Sequence, residues 1–275
     1  MTDLPRITVV MPSFNQANYL EEAIYSVLGQ NYPNLEFMIL DGGSTDGSRE
    51  IIERYADRLT YWHSRPDKGQ TDALIQGFER ATGELMGWVN SDDVLLPGAL
   101  SHIASAYAQN HRAGMFIGNF VLIDQASKII RCKRNPKQIE WFGHHGKDVV
   151  NPDWFFTRRD YELIGGLNPS FEFCMDTDLF FRMILQGVHP LYIDQYLVAF
   201  RIHPASKGVA QTEQVRQEAN ELSIYLRKHE VVKNHPAWLL LYMIYQVLNG
   251  NYLRMMFETA KARHQHLRNW ADTHC

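Results

Sequence analysis

The sequence has few of the features that mark disulfide-stabilised domains or membrane-spanning chains. Its 275 residues contain 3 scattered cysteines and no CxxC pair, so we expect neither a disulfide scaffold nor a zinc ribbon. No apolar run reaches the roughly 18 residues that span a bilayer. The first residues lack the basic and apolar segments of a signal peptide. These absences together predict a cytoplasmic protein in a reducing compartment.

A basic excess is missing as well. The 31 acidic residues outnumber the 27 basic ones, which argues against a broad nucleic-acid surface and predicts no nucleic-acid partner. No GxGxxG pattern follows the first apolar run, so a dinucleotide oxidoreductase is disfavoured. What is present is an ordinary globular composition, 45% hydrophobic, in a chain long enough to bury a sizeable core.

Strand-like and helix-like segments alternate through the first half of the chain. Apolar runs at residues 7–11, 35–40, 59–62 and 85–89 predict buried strands, and helix-spaced apolar residues separate them. This alternation predicts βαβ units and a mainly parallel α/β sheet covered on both faces. Because ligands bind at the carboxyl ends of such strands, the polar loops that follow them should gather at one edge.

The middle of the chain has a mixed pattern. Residues 115–123 and 129–132 predict two strands around a polar turn, and residues 176–186 predict a helix. An apolar run at 196–200 precedes Arg201-Ile-His203. From about residue 211 onward the pattern is helical and carries no strand signal.

The motif Asn90-Ser91-Asp92-Asp93 ends the fourth predicted strand. Adjacent side chains in an extended segment point to opposite sides, so one carboxylate could face a metal and the other a sugar or ribose. Oxygen ligands of this kind suit Mg²⁺ or Mn²⁺ on a phosphate. Capping of the helix that follows Pro97 is the alternative interpretation.

Two further loops carry carboxylates after strands. Asp41 directly follows the second strand, where it could accept a hydrogen bond from a nucleotide base, although the glycine-rich loop could also be only a turn. In the loop from Asp67, Lys68 could meet a phosphate. Asp72 would lie in a first helical turn, where it would also complement the helix dipole.

Asp176-Thr-Asp178 opens a predicted helix. A carboxylate in the first turn stays ionised near neutral pH and could accept a proton. Three alternatives remain open: a capping pair, an i,i+4 contact between Asp178 and Arg182, and a DxD metal motif that competes with Asp92 and Asp93. His203 could complete a metal shell or be structural.

These motifs together resemble the glycosyltransferase family 2 pattern on the GT-A fold, of the bacterial cell-envelope polysaccharide type. The resemblance covers roughly residues 5–208 in the family's order. It comprises Val10-Met-Pro-Ser-Phe-Asn15, Gln30-Asn-Tyr-Pro-Asn-Leu-Glu36, Leu40-Asp-Gly-Gly-Ser-Thr-Asp-Gly47, Pro66-Asp-Lys-Gly69, Ala81-Thr-Gly-Glu84, Asn90-Ser-Asp-Asp93, Asn151-Pro-Asp-Trp-Phe-Phe-Thr-Arg158, Gly165-Gly-Leu167, Met175-Asp-Thr-Asp178 and Arg201-Ile-His203.

The resemblance implies a role for each matched position. Asp93 would hold a divalent metal, Mn²⁺ or Mg²⁺, on the diphosphate, and His203 would join it, as in some members. Asp176 would be the base that activates the acceptor. The positions implied for binding the nucleotide-sugar are Pro12, Ser13, Asp41, Asp67, Lys68, Asp72, Ser91 and Asp92.

An inverting transfer of a sugar, such as a hexose, from a UDP-, dTDP- or GDP-linked donor to a glycan or lipid-linked acceptor is therefore the function that the resemblance implies. The chain departs from the family pattern at Ile75, Met175 and Asn151-Pro-Asp153, which concerns the acceptor pocket more than the donor site. A catalytically silent nucleotide-sugar-binding module and a metal-dependent nucleotidyltransferase are the alternatives.

The chain is expected to divide into a GT-A domain and a helical extension. The predicted divisions are 1–208, with a nucleotide-binding half at about 1–112 and an acceptor half at about 113–208, and a C-terminal region at 209–275. Residues 236–248 are apolar nearly all round, and residues 252–270 mix basic and apolar groups. Such helices either pack on the domain, pair two subunits, or lie peripherally on the inner face of the plasma membrane.

Overall fold

The computed structural model describes residues 4–137, 154–204, 206, 213–229, 248 and 250–274. In this part of the chain nine strands form one sheet. The strands are β1 Ile7–Ser13, β2 Leu35–Asp41, β3 Tyr61–Ser64, β4 Leu85–Trp88, β5 Val94–Leu95, β6 Ala113–Ile123, β7 Ile129–Lys133, β8 Phe155–Thr157 and β9 His189–Arg201.

Helices alternate with the first strands and then dominate the end of the chain. They are α1 Ala17–Leu28, α2 Ser48–Arg54, α3 Gln70–Phe78, α4 Ala99–Gln109, α5 Arg158–Leu163, α6 Met175–Leu185, α7 Glu213–Lys228, α8 Asn251–Ala262 and α9 Leu267–His274. A short 3₁₀ turn at Ala56–Arg58 precedes β3, which explains why that strand begins two residues later than the apolar run predicts.

The sheet order is β3-β2-β1-β4-β8-β6-β9-β5, with β7 paired to β6. The first four strands run parallel to one another, as the alternating pattern predicts. Antiparallel pairs enter with β8, β5 and β7, while β6 and β9 run parallel. The predicted α/β fold class is thus confirmed. The sequence pattern misses β5 and β8, which span only two and three residues, and it marks the 13-residue β9 only by the apolar run at 196–200.

The register aligns the carboxyl ends of the first strands. Ser13 lies opposite Asp41, and Asp41 lies opposite Ser64. Val10 pairs with Trp88, so the segment that follows β4 emerges at the same edge. The polar loops after these strands therefore gather along one edge of the sheet, as predicted.

Alternate residues of each central strand are buried on opposite faces. Val10, Met38 and Trp88 pack in the core beneath α3 and α6. Val9 and Ile39 pack in the core beneath α1 and α4 on the other face. Burial on both faces accounts for the nearly continuous apolar runs, which are typical of parallel strands.

The C-terminal helices extend this framework. Leu222 and Leu226 of α7 join the core beneath α3 and α6, while Leu267 and Trp270 of α9 are buried in a third cluster with strands β6, β7 and β9. Within the described ranges, no helix is long and apolar enough to cross a membrane. The apolar stretch predicted at residues 236–248 lies outside the described residues, apart from Leu248.

Candidate functional site

A cavity of about 710 Å³ opens where the strand ends gather. Its walls come from the ends of β1 and β2, the loop before α3, the loop after β4, the segment before α6 and the end of β9. The lining residues are Pro12, Ser13, Phe14, Gln16, Gly42, Gly43, Pro66, Asp67, Gly69, Gln70, Ala73, Asn90, Ser91, Asp92, Glu172, Phe200 and Ser206. Five of the predicted donor-binding residues thus share one cavity: Pro12, Ser13, Asp67, Ser91 and Asp92.

Ser13 is prepared to contact a ligand. Its side chain is buried at the end of β1, yet its Oγ has no hydrogen-bond partner among the described residues. A buried hydroxyl without a hydrogen bond destabilises the protein, and a ligand that bonds to this hydroxyl removes that cost. The cavity wall therefore offers a hydroxyl suited to a polar group of a bound molecule.

Asp41 shapes the cavity from behind the wall. Its fully buried carboxylate accepts hydrogen bonds from the backbone N–H groups of Gly43 and Ser44, at 3.1 and 2.9 Å, and from the Ser64 hydroxyl at 2.6 Å. These contacts fix the Gly42–Gly43 turn, which lines the cavity. In the described structure Asp41 itself does not line the cavity, in contrast to the expected contact with a base.

Of the three predicted residues Asp67, Lys68 and Asp72, which lie in the loop before α3 and in its first turn, one lines the cavity. Asp67 lines it and accepts a hydrogen bond from the Gly69 N–H at 2.8 Å. Burial raises the pKa of the Asp67 carboxyl, and the nearby carboxylates of Asp72 and Glu172 raise this pKa further. Asp72 instead caps the loop by accepting from the Lys68 N–H at 3.2 Å, and in the described structure neither Asp72 nor Lys68 lines the cavity.

The adjacent carboxylates after β4 point to opposite sides, as expected. Asp92 lines the cavity. Asp93 is 1% exposed, and its carboxylate accepts from the Arg201 N–H at 2.8 Å and from the Asn90 amide at 3.0 Å. Both oxygens of Asp93 thus accept hydrogen bonds inside the protein, Asp93 does not line the cavity in the described structure, and its role as a metal ligand stays a prediction.

His203 lies directly beside Asp92. Its Nε2 is 2.9 Å from Asp92 Oδ2, and its ring packs 4.8 Å from the ring of Tyr19. The histidine is buried and, in the described structure, does not itself line the cavity, so its imidazole lies behind the Asp92 carboxylate. Among the described residues, no group of three or more His, Cys, Asp or Glu could hold a metal ion.

Arg201 holds this pair in place, a role that the sequence motif did not reveal. Its guanidinium is nearly fully buried, and its Nε donates to the Asp92 carbonyl at 2.8 Å. Another guanidinium nitrogen donates to Glu22 at 2.7 Å, and the group stacks over Tyr19 at 4.8 Å. The arginine therefore fixes the backbone of the Asp92–Asp93 segment against α1.

The predicted base, Asp176, lies in the first turn of α6 and accepts from the Thr177 N–H at 2.7 Å. In the described structure it does not line the cavity. Asp178 is buried and contacts Arg182 at 2.6 Å, the expected i,i+4 pair. This contact argues against the alternative in which Asp176 and Asp178 form a metal-binding DxD motif.

Glu172 is the carboxylate that reasoning from the sequence missed. It lines the cavity four residues before Asp176, and its oxygens accept from the Gln70 and Thr71 N–H groups at 3.0 and 3.3 Å. These N–H groups begin α3, where the helix dipole favours a negative charge. Only the contact between α3 and a segment 100 residues away reveals this residue, because no local pattern marks it.

A mainly parallel sheet with a cavity at its strand ends, lined by Asp92, is typical of α/β proteins that bind ligands such as nucleotides at the carboxyl ends of their strands. The sequence profile of Glycosyl transferase family 2 matches residues 8–175. The chain belongs to this family, and it is therefore a glycosyltransferase that uses a nucleotide sugar.

Relatives of this chain support the same placement. An uncharacterized glycosyltransferase of Rickettsia prowazekii (strain Madrid E) is 29% identical over 239 residues, which cover 82% of this chain and 72% of the relative. A putative teichuronic acid biosynthesis glycosyltransferase of Bacillus subtilis (strain 168), TuaG, is 35% identical over 92 residues, 32% of this chain and 36% of the relative.

Solved structures show the same fold at low sequence identity. TarS residues 1–349 of S. aureus, in complex with UDP-GlcNAc, superposes with a TM-score of 0.63 and 16% identity over 93% of this chain and 77% of TarS. The mannosyltransferase PcManGT of Pyrobaculum calidifontis, in complex with GDP-Man and Mn²⁺, has a TM-score of 0.61 and 16% identity over 98% of this chain and 84% of the neighbour.

Proposed function

We propose that the protein transfers a sugar from a metal-bound nucleotide-sugar to a hydroxyl group of a glycan or lipid-linked acceptor, with inversion at the anomeric carbon. The observation that carries this proposal is Asp92, which lines the strand-end cavity and whose Oδ2 lies 2.9 Å from the Nε2 of the buried His203 behind it. A volume of about 710 Å³ lies within the range of small-molecule sites. The family assignment supplies the class of reaction.

The residues of the cavity fit a divalent metal. One carboxylate and one imidazole suit Mn²⁺, and Mg²⁺ or Mn²⁺ with few protein ligands completes its coordination with water and substrate phosphates. Asp92 and His203 would hold the ion, in place of the expected Asp93. When bound, the ion would neutralise charge on the diphosphate leaving group. PcManGT, described in complex with Mn²⁺, is a structural precedent in the same fold.

The remaining steps belong to residues of this chain. Ser13 and the Gly42–Gly43 turn, which Asp41 holds, would position the nucleoside. Asp67, in the wall formed by the loop before α3, would contact the donor from that side. Asp176 would take the proton from the acceptor hydroxyl as its oxygen attacks the anomeric carbon. The bond from that carbon to the phosphate oxygen then breaks, and the nucleoside diphosphate leaves from the opposite face.

The donor would carry UDP, dTDP or GDP. TarS with UDP-GlcNAc and PcManGT with GDP-Man show that this fold accommodates both uridine and guanosine diphosphate sugars. For the product we propose a cell-envelope polysaccharide, made in the cytoplasm or at the inner face of the plasma membrane. The name of the Bacillus relative, a putative teichuronic acid enzyme, supports this direction.

Replacement of the proposed base tests the mechanism. Asp176→Asn should bind the donor normally but transfer the sugar at least about 100-fold more slowly, the low end for loss of a general base. The measurement is nucleoside diphosphate release from a panel of UDP-, dTDP- and GDP-sugars with Mn²⁺, together with NMR of the product's anomeric configuration.

Asp178→Asn is the matched control, because it removes a carboxylate two residues away that contacts Arg182 instead. A crippled Asp178→Asn beside a nearly normal Asp176→Asn would refute the assignment, and a retained anomeric configuration would refute single displacement. Donor binding without any transfer or hydrolysis would favour the catalytically silent module. Pyrophosphate release from a nucleoside triphosphate and a sugar phosphate would favour a nucleotidyltransferase.

A further inference from the structure

The segment Glu172–Cys174, which leads into α6, is held by a single carboxylate from the C-terminal helical region. Three successive backbone N–H groups, those of Glu172, Phe173 and Cys174, donate to the same Oε2 of Glu218 at 3.0, 2.7 and 3.1 Å. Glu218 lies on α7 and is 6% exposed. Backbone N–H groups that converge on one carboxylate form charge-assisted hydrogen bonds, which are stronger than neutral ones.

The residue held in this way reaches across to the donor side. The Glu172 carboxylate accepts from the N–H groups of Gln70 and Thr71 at the start of α3. The Thr71 hydroxyl also donates to the Phe171 carbonyl at 2.7 Å. Gly69 has a φ of +112°, a backbone conformation that favours glycine. Any other residue at this position would place its Cβ only 2.7 Å from Glu172 Oε1. The approach of the two segments is therefore close and specific.

These contacts form a continuous connection with two ends. One end is α7, which lies beyond the family match at residues 8–175 and is anchored in the core by Leu222 and Leu226. The other end is the cavity wall formed by Glu172. The first turn of α6, which carries Asp176, follows directly after Cys174.

We propose that Glu218 is a positioning residue for sugar transfer: it fixes the segment before α6, which sets the place of the Asp176 carboxylate, while Glu172 keeps its place in the cavity wall through its own contacts with the start of α3. The proposal rests on the proposed function, in which Asp176 is the base. Apolar packing by Leu222 and Leu226 keeps α7 in place without Glu218, so the carboxylate acts on the geometry of the site rather than on the fold. The C-terminal region thus completes the acceptor side of the catalytic domain.

Glu218→Gln is the first test, because glutamine keeps the shape and one oxygen acceptor but removes the charge. We expect a drop in kcat of about 10-fold to 100-fold, the range that misplaced catalytic groups produce, with a donor Kd within about 3-fold of wild type. Glu221→Gln, an exposed glutamate on the same helix, is the matched control and should leave kcat unchanged. Glu218→Asp, which keeps the charge but shortens the side chain, should show an intermediate kcat and keeps the test decisive should Glu218→Gln fold poorly.

A double-substitution cycle separates positioning from general destabilisation. If Glu218 acts through Asp176, then adding Glu218→Gln to Asp176→Asn should lower the residual single-turnover rate by less than about 3-fold. Losses that multiply in the double variant, or a Glu218→Gln enzyme as active as Glu221→Gln, would overturn the proposal. An Asp176→Asn enzyme with normal activity would instead show that the proposed base is wrong, whatever Glu218 does.

Discussion

Asp92 and Asp93 are neighbours in sequence with opposite surroundings. The alternation of side chains in an extended segment sends Asp92 to the cavity and Asp93 into the protein, where the Arg201 N–H and the Asn90 amide satisfy its oxygens. The sequence therefore predicts that the two carboxylates diverge but not which one faces the ligand. That choice depends on the backbone held by Arg201, a contact between residues more than 100 positions apart.

The folded state disfavours the ionised form of the Asp67 carboxyl. Because burial and neighbouring carboxylates raise its pKa, its ionised form destabilises the folded state at pH values above the folded pKa. This cost is absent below the usual pKa of the group, where the carboxyl is protonated in both states. Asp67→Asn, which keeps the acceptor for the Gly69 N–H, should therefore raise Tm at pH 7 and leave it unchanged near pH 3 in differential scanning calorimetry.

Asp57→Asn, at an exposed position, serves as the control and should change Tm little at either pH. A Tm at pH 7 that falls in Asp67→Asn would show that the ionised carboxylate stabilises the loop rather than straining it. Functional sites often carry such strain, because groups selected for binding are not selected for stability.

At the scale of elements, the apolar periodicity predicts the first four strands and the helices between them because each is long enough to show its pattern. The short strands β5 and β8 carry no such signal. They form because β9 and the ends of β4 and β6 supply hydrogen-bonding partners. Tertiary pairing, rather than local propensity, creates these elements.

The packing of α3 on β1 depends on the absence of a side chain at Gly77. A Cβ there would lie 2.5 Å from Val10 Cγ1, in a fully buried part of the core. Alanine favours a helix over glycine by about 1 kcal/mol, but overpacking of this kind costs about 1–3 kcal/mol. Gly77→Ala should therefore lower the free energy of unfolding by up to about 2 kcal/mol in urea denaturation.

The Val10→Ala background provides the control, because it removes the two methyl groups that lie nearest to the new Cβ. The loss caused by Gly77→Ala should be smaller there. If Gly77→Ala stabilises the wild-type chain, the helix must move away from the strand at little cost, which would contradict the close packing described for this pair.

At the scale of the whole molecule, the C-terminal region has two faces with opposite characters. The buried side chains of α9 pack on the catalytic sheet, which confirms that part of the tail has a packing role. In α8 the polar side points inward: Glu258 accepts from the Tyr196 hydroxyl, and Thr259 accepts from the Cys132 N–H at 3.1 Å. Its apolar side points outward through Tyr252, Leu253, Met256 and Phe257, all more than 40% exposed.

Basic side chains accompany this outward face. The Lys261 amine lies 4.3 Å from the centre of the Phe257 ring. Three arginines are also exposed on these elements: Arg131 on β7, Arg254 on α8 and Arg263 directly after α8. An exposed apolar stripe with cations beside it suits the interface of an anionic membrane. We expect the protein to co-sediment with anionic vesicles at low salt and to be released as salt screens the attraction.

Leu253→Ser combined with Phe257→Ser should abolish vesicle binding, whereas Leu163→Ser, at a similarly exposed apolar position on α5, should not. Substitution is a cleaner test than truncation, because removal of the tail would also remove Trp270 from the core. A wild-type dimer that the double variant dissociates, without vesicle binding at low salt, would assign the surface to self-association.

The central claim is that Asp92 and His203 bind the metal that holds the donor diphosphate. It is tested most directly by calorimetric titration of UDP and GDP into wild type and Asp92→Asn, with and without Mn²⁺. If Asp92 holds the metal, one of these nucleotides should bind wild type at least about 10-fold more tightly with Mn²⁺ than without it. Asp92→Asn should lose this difference while remaining folded. Equal Mn²⁺ dependence of nucleotide binding in wild type and Asp92→Asn would show that Asp92 is not a metal ligand.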